Sequence, residues 1–351
     1  MMLAALGIAT LLPLFDVVTA QTTTASAPEA TSTVALNTAA KAAGKLYFGS
    51  ATDNPELTND AYVAILNNTA MFGQLTPGNS MKWDAIEPEQ NVFDFTGGDQ
   101  IADLAEETGK IIRGHNLVWY SQLPSWVSDG TWTADTLTSV IQTHVTTEVE
   151  HYKGKIYAWD VINEPFNDNG TFRSDVFYDT LGSSYISIAL TAARAADPDA
   201  KLYINEYNLE YTGAKIDAMV QLVTDLKAAG TPIDGIGIES HYILGDVSAS
   251  ELQTNMEALT ALGVEVAITE LDVRIDLPAT DADLEQQKSD YETVVGVCMA
   301  VSGCVGVTVW DYTDYYSWIP ATFPGYGAAC PWDENLVPKP AYDGIVLGFQ
   351  S

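Results

Sequence analysis

The sequence predicts an α/β protein built as a single (β/α)8 TIM-type barrel, with its active site at the carboxyl ends of the strands. Three observations carry that prediction. Eight short runs rich in β-branched and aromatic residues recur along the 351 residues. Stretches of helical period lie between them, and polar residues collect at one end of nearly every run. Alternation of this kind favours a parallel sheet with helical crossovers over other layer architectures.

The runs fall near residues 46–50, 71–76, 110–117, 156–162, 201–205, 235–240, 265–270 and 305–310. Each is apolar without helical spacing, as a strand buried on both faces should be. The interval between runs is about 25 to 45 residues, enough for one strand, one helix and two loops. Asp99 to Thr108 carries Ile101, Leu104 and Ala105 on one face, and Tyr185 to Ala196 is similarly amphipathic. From Ile216 to Ala229 the residues Ile216, Met219, Val220, Val223 and Leu226 share a side, and Gly230 supplies the stop. A doubly wound open sheet is the alternative, but no GxGxxG or phosphate loop follows the first run.

Composition narrows the function. With 15 basic and 47 acidic residues the formal charge is −32, a field that repels nucleic acid and anionic membranes. The acids are scattered, which fits a solvated surface and a monomer. Residues 1–20 are apolar, broken by Pro13 and Asp16, and end in the small residues Val18, Thr19 and Ala20. They read as a secretory signal peptide cut near Ala20, hence an extracellular protein. Residues 21–40 are rich in Thr, Ala and Ser and read as a short flexible lead-in to a catalytic barrel over 41–351. In a secreted chain Cys298 and Cys304 could pair across a short loop, leaving Cys330 as a free buried thiol or an intermolecular partner. Asn67 and Asn169 each head an N-glycosylation sequon.

Glu164 and Glu270 stand out. Each closes an apolar run, in WDVINEP and VAITELD. A carboxylate inside such a strand would cost several kcal/mol, whereas at its end it can face a cleft. Two such acids on one rim can flank a glycosidic bond, although structural ion pairs would also place acids at strand ends. Other run ends add Asn79 and Lys82, His115 and Asn116, Asn205 and Glu206, Glu239 and His241, and Trp310 and Asp311.

Seven segments, TPGNSMKWDAIEPEQNVFDF, RGHNLVWYSQLPSWV, WDVINEPF, GIGIESHY, ITELDV, CVGVTVWDYTD and PKPAY, follow one another in the order seen in glycoside hydrolase family 10, the retaining β-1,4-xylanases. The chain resembles that family from about residue 35 to 350. The resemblance implies hydrolysis of xylan through a covalent glycosyl-enzyme, with Glu164 as acid/base and Glu270 as nucleophile, about 5–5.5 Å apart. It implies that Asn163 bonds the sugar 2-hydroxyl, that His241 holds the nucleophile and that Asp272 supports it. Asn79 and Lys82 resemble glycone-side donors, and Trp310 and Trp318 resemble platforms for the apolar sugar faces. Trp119 and Trp126 are expected as cleft walls, and Trp159 is expected in the core as much as in the cleft. Neither a metal nor an organic cofactor is expected; the partner is a polysaccharide or oligosaccharide.

Four positions depart from the family pattern: Gly78 for a glutamate, Tyr120 for a histidine, Glu239 for a glutamine and Asp311 for a glycine. They leave three readings open. One is an ordinary endo-1,4-β-xylanase; another has an altered glycone pocket for a hexose-containing or branched glycan, as in saponin-cleaving members of the tomatinase kind. The third is an inactive carbohydrate-binding barrel, which the presence of both glutamates and Asn163 disfavours.

Overall fold

The computed structural model describes residues 28–351, so the expected signal peptide lies outside the described residues. Eight parallel strands close into a barrel: Tyr47–Thr52 (β1), Gln74–Pro77 (β2), Ile111–Trp119 (β3), Ile156–Asn163 (β4), Lys201–Glu206 (β5), Gly235–Ile238 (β6), Glu265–Asp276 (β7) and Cys304–Val309 (β8). Each pairs with the next, and β8 returns to β1 with Phe48 opposite Val307, leaving no edge among the eight. Because every strand runs the same way, all the carboxyl ends share one rim.

The predicted runs and the strands agree, with one informative difference. β3 and β7 overrun their apolar cores, to Trp119 and Asp276. Beyond the rim β7 pairs with the short strand His241–Ile243, placing His241 opposite Asp272, and with Tyr326–Gly327. Ladder bonds outside the barrel therefore hold polar residues in strand geometry, so Glu270 sits inside β7 and at the rim at once.

Between strands lie the expected helices, among them Thr96–Thr108, Ser184–Ala196 and Ala214–Ala228. The last buries Ile216, Met219, Leu222, Val223 and Leu226 against the sheet. Burying a side chain of this size contributes about 1.5–3 kcal/mol. Trp159 is fully buried between the barrel and its helices, with its ring 6.1 Å from that of Tyr152, which settles its two expectations in favour of the core. Gly114 makes that possible, since a Cβ there would lie 2.3 Å from the indole. Arg113 and Asp160 meet on adjacent strands in a buried ion pair, with Arg113 Nε donating to Asp160 at 3.0 Å. Burial alone would raise the Asp160 carboxyl, but Arg113 and His115 outweigh it and hold it below its ordinary value.

The lead-in expectation needs correction from Ala30 onward. Ala30 N–H donates to Pro338 O at 2.8 Å, and Thr31 and Ser32 donate to the Asp343 carboxylate at 2.7–3.1 Å. Helix Leu36–Ala42 then buries Leu36 and Ala40. One leucine and three alanines give too little contrast to show a period in sequence, but packing against β1 and the C-terminal helix Pro340–Gln350 completes the core around them. Cys298 and Cys304 form the disulfide, and Cys330 is free and buried. Asn169 is exposed, whereas Asn67 is half-buried.

Candidate active site

Glu164 follows directly on β4 in the left-handed region, φ 53°, and its N–H donates to Asn205 O at 2.8 Å. A non-glycine residue seldom adopts that conformation. Here it ends the strand and turns the side chain toward the rim. Asn163 Nδ2 lies 3.3 Å from Glu164 Oε1, and Arg173 Nη2 lies 3.8 Å from Oε2. Burial, then the negative charge of Glu270, raise the Glu164 carboxyl; Trp119, Arg173 and Lys215 pull it partly back.

Glu270 has the opposite environment. It is also buried, which would raise it, but Asn205 Nδ2 donates to Oε1 at 2.8 Å and His241 Nε2 contacts Oε2 at 3.1 Å. The His241 hydrogen bond and the nearby imidazoles outweigh burial and bring Glu270 below its ordinary value. One acid thus tends to hold its proton and the other to lose it. Charges and donors, rather than residue type, create the difference.

His241 is the hinge of that asymmetry. Its Nδ1 faces Asp272 Oδ2 at 2.9 Å, and Trp318 Nε1 donates to the same oxygen at 2.8 Å. Burial would lower the imidazole, yet Asp272 and Glu270 together push it up to about 10. The ring is therefore an imidazolium over the acidic and neutral range, a fixed positive charge beside Glu270. Glu239 occupies the other flank. Asn205 Nδ2 reaches its Oε1 at 3.2 Å, and His241 Nε2 is 3.9 Å from Oε2. Burial, followed by the charges of Glu270 and Glu164, drives Glu239 well above a normal carboxyl, so it holds its proton. Glu239, His241 and Glu270 also bring three ligand-type atoms within 4.8 Å of one another, a cluster the sequence reading did not foresee. Both imidazole nitrogens already face carboxylates, so a cation would have to displace that hydrogen-bonded arrangement.

The pair opens into a cavity of about 790 Å³ whose lining includes Asn79, Lys82, Trp119, Tyr120, Asn163, Glu239, His241, Trp310 and Trp318, together with Gly78 and Asp311. The rim thus gathers nearly every residue the sequence singled out, and Asp272 lies beneath it, fully buried. Lys82 Nζ donates to Gln122 Oε1 at 2.7 Å and Asn79 Oδ1 at 3.1 Å, while Gln122 Nε2 donates to Asn79 Oδ1 at 3.0 Å. Trp310 sets its edge against His115, and Trp318 against His241.

One expectation changes. Trp126 is not among the cavity-lining residues: it packs against Trp83 and Trp132 and donates to Glu87 O at 3.1 Å, because the chain turns its indole behind the rim. Tyr120, standing where the family has a histidine, lines the cavity beside Glu164. The Arg173 guanidinium lies 4.1 Å over its ring, and burial, then the Glu164 charge, push its hydroxyl up to about 12. Arg173 itself was missed. It donates to Glu164 O and Phe166 O at 3.1 Å and to the Tyr207 hydroxyl at 3.0 Å, tying the loop after β4 to the site. An arginine nine residues beyond a strand-end glutamate was the available signal, but nothing in linear order shows the loop folding back. The three-way role of Asn205, which bridges Asn163, Glu239 and Glu270, was equally invisible.

Two acids of divided protonation on one rim, flanked by tryptophans and amide side chains, form a constellation suited to glycoside hydrolysis. Comparison with known proteins agrees. The family profile for glycosyl hydrolase family 10 matches residues 35–347. Endo-1,4-beta-xylanase A of Phanerodontia chrysosporium is 65% identical over 319 residues, covering 91% of this chain and 78% of that relative. The endo-1,4-beta-xylanase of Agaricus bisporus is 57% identical, covering 90% of this chain and 94% of its own. Among solved structures, a family 10 xylanase from Bispora sp. MEY-1 with xylobiose superposes with a TM-score of 0.88 at 44% identity, covering 90% of this chain and 99% of the other. The paired acids, the closed barrel and these likenesses together make the chain a member of glycosyl hydrolase family 10.

Proposed function

We propose that the chain is a secreted, retaining endo-1,4-β-xylanase that works by double displacement. The carrying observation is the divided environment of Glu164 and Glu270 within one cavity. Glu270, ionised against the His241 imidazolium, attacks the anomeric carbon of a xylose unit. Glu164 gives its proton to the departing glycosidic oxygen. With that proton gone, Glu164 accepts one from water, which attacks the glycosyl-enzyme and releases Glu270. Asn163, beside Glu164 and joined to Glu270 through Asn205, bonds the 2-hydroxyl, and the hydrogen bond strengthens as charge develops at the ring.

Lys82 and Asn79 bind the glycone side, while Trp310 and Trp318 bury the sugar C–H faces. The names of the relatives support xylan as substrate, and the xylobiose in the Bispora structure supports an oligosaccharide in the cleft. The apolar residues 1–20 support export, and among the described residues no helix is long and apolar enough to cross a membrane. The test is hydrolysis of beechwood xylan and α-tomatine side by side. Xylan cleavage with retention of anomeric configuration is expected, abolished by Glu270→Ala and reduced about 10²–10⁴-fold by Glu164→Ala. Cleavage of α-tomatine with xylan untouched would overturn the assignment in favour of an altered glycone pocket.

A further inference from the structure

Gly78 leaves a gap in the cleft wall, and the structure shows what stands beside it. Gly78 and Asp53 both line the cavity. A Cβ built on Gly78 would lie 3.6 Å from Asp53 Cγ and Oδ2, in ordinary contact. A side chain at position 78 would therefore begin in contact with the Asp53 carboxylate, and a glutamate there would set two like charges together.

Asp53 is held firmly. Its N–H donates to Glu56 Oε2 at 2.9 Å, and Thr52 and Tyr62 hydroxyls donate to the same oxygen at 2.9 and 2.8 Å. Its side chain accepts from Asn79 Nδ2, and Asn79 in turn accepts from Lys82 and Gln122. A carboxylate has about four acceptor sites, so one donor leaves capacity for sugar hydroxyls. Position along the cleft follows from the hydrogen-bond chain: Asn79 joins Lys82 to Asp53, so Asp53 stands one side chain beyond Lys82 in the cavity that also holds Glu164 and Glu270.

Resting on the xylanase reading, we propose that Asp53 is a substrate-binding residue that accepts hydroxyl hydrogen bonds from the sugar one unit beyond the one held at Lys82. It does so in the space that Gly78 leaves open. Asp53 and residue 78 are then two alternative origins for one glycone-side carboxylate, reaching the same spot from different strands.

The test compares 4-nitrophenyl β-xyloside, which ends at the first sugar, with 4-nitrophenyl β-xylobioside, which reaches the second. In Asp53→Asn and Asp53→Ala the ratio of kcat/KM for xylobioside over xyloside should fall about 10–100-fold, the usual effect of removing a charged hydrogen-bond partner. The loss should appear mainly in KM, and xylobiose should inhibit more weakly by a similar factor. Adding Gly78→Glu to Asp53→Asn should restore most of the ratio. A ratio that stays at its original value overturns the assignment, as does an equal loss on both substrates, which marks damage to the Asn79–Lys82 framework. If the unaltered enzyme hydrolyses neither xyloside, the xylanase reading itself fails and this inference with it. Intact hydrolysis with an unmoved ratio removes the Asp53 role alone.

Discussion

Glu239→Gln isolates the most unusual electrostatic feature of the site. Glu239 is 3% exposed and its ligand-type oxygen lies within 4.8 Å of that of Glu270. Two unit charges at that spacing repel by about 3 kcal/mol at an effective dielectric constant near 20. Burial adds to the repulsion, so the folded chain keeps Glu239 protonated where an unfolded chain releases the proton. For a carboxyl raised in this way the folded state binds the extra proton. Stability therefore falls as pH climbs above the ordinary carboxyl value. Glutamine has nearly the same shape, donates from its amide and never titrates. The variant should match the parent in thermal unfolding near pH 4 and exceed it near pH 7 by up to about 3 kcal/mol, several degrees in Tm. Unfolding curves at the two pH values, read by circular dichroism or calorimetry, measure the difference directly. An advantage of equal size at both, or one larger at pH 4, would refute the reasoning, because packing rather than charge would then be responsible.

Other consequences follow from the same structure. Arg173→Gln removes a cation 3.8 Å from Glu164, so Glu164 should hold its proton more strongly and the alkaline limb of the kcat/KM profile should move to higher pH. Movement to lower pH would contradict the role given to that charge. Across the whole protein, Glu56, Glu210 and Glu206 are pushed up chiefly by burial to about 6, 7 and 8, and the imidazolium of His241 persists to about 10. Raised carboxyls and a raised histidine both lose stabilisation as pH increases, so Tm should decline from about pH 4.5 toward 8 and beyond. Replacing Cys298 and Cys304 by serine opens a loop of sequence separation 6 and should cost about 2 kcal/mol in denaturant unfolding. Glycan mapping of the exported protein should find Asn169 modified and Asn67 bare, since Asn169 is exposed while the Asn67 side-chain oxygen is buried.

The sequence by itself determined the barrel and the identity of the acids. Periodicity is a local property, so eight apolar runs and the helices between them could be read from the chain directly. The cost of burying a carboxylate then pointed Glu164 and Glu270 to strand ends. What it could not show were contacts made across turns and between strands. Asp160 meets Arg113 across 47 positions, Asn205 joins Glu239 and Glu270 across 34 and 65, and Arg173 folds back onto Glu164 through a loop without a pattern. Those contacts decide which glutamate keeps its proton, because a pKa depends on distances of a few ångströms that linear spacing does not encode. They also put Trp126 behind the rim and set Asp53 beside Gly78. The chain order named the two acids; only closure of the barrel gave them different surroundings, and with them different chemistry.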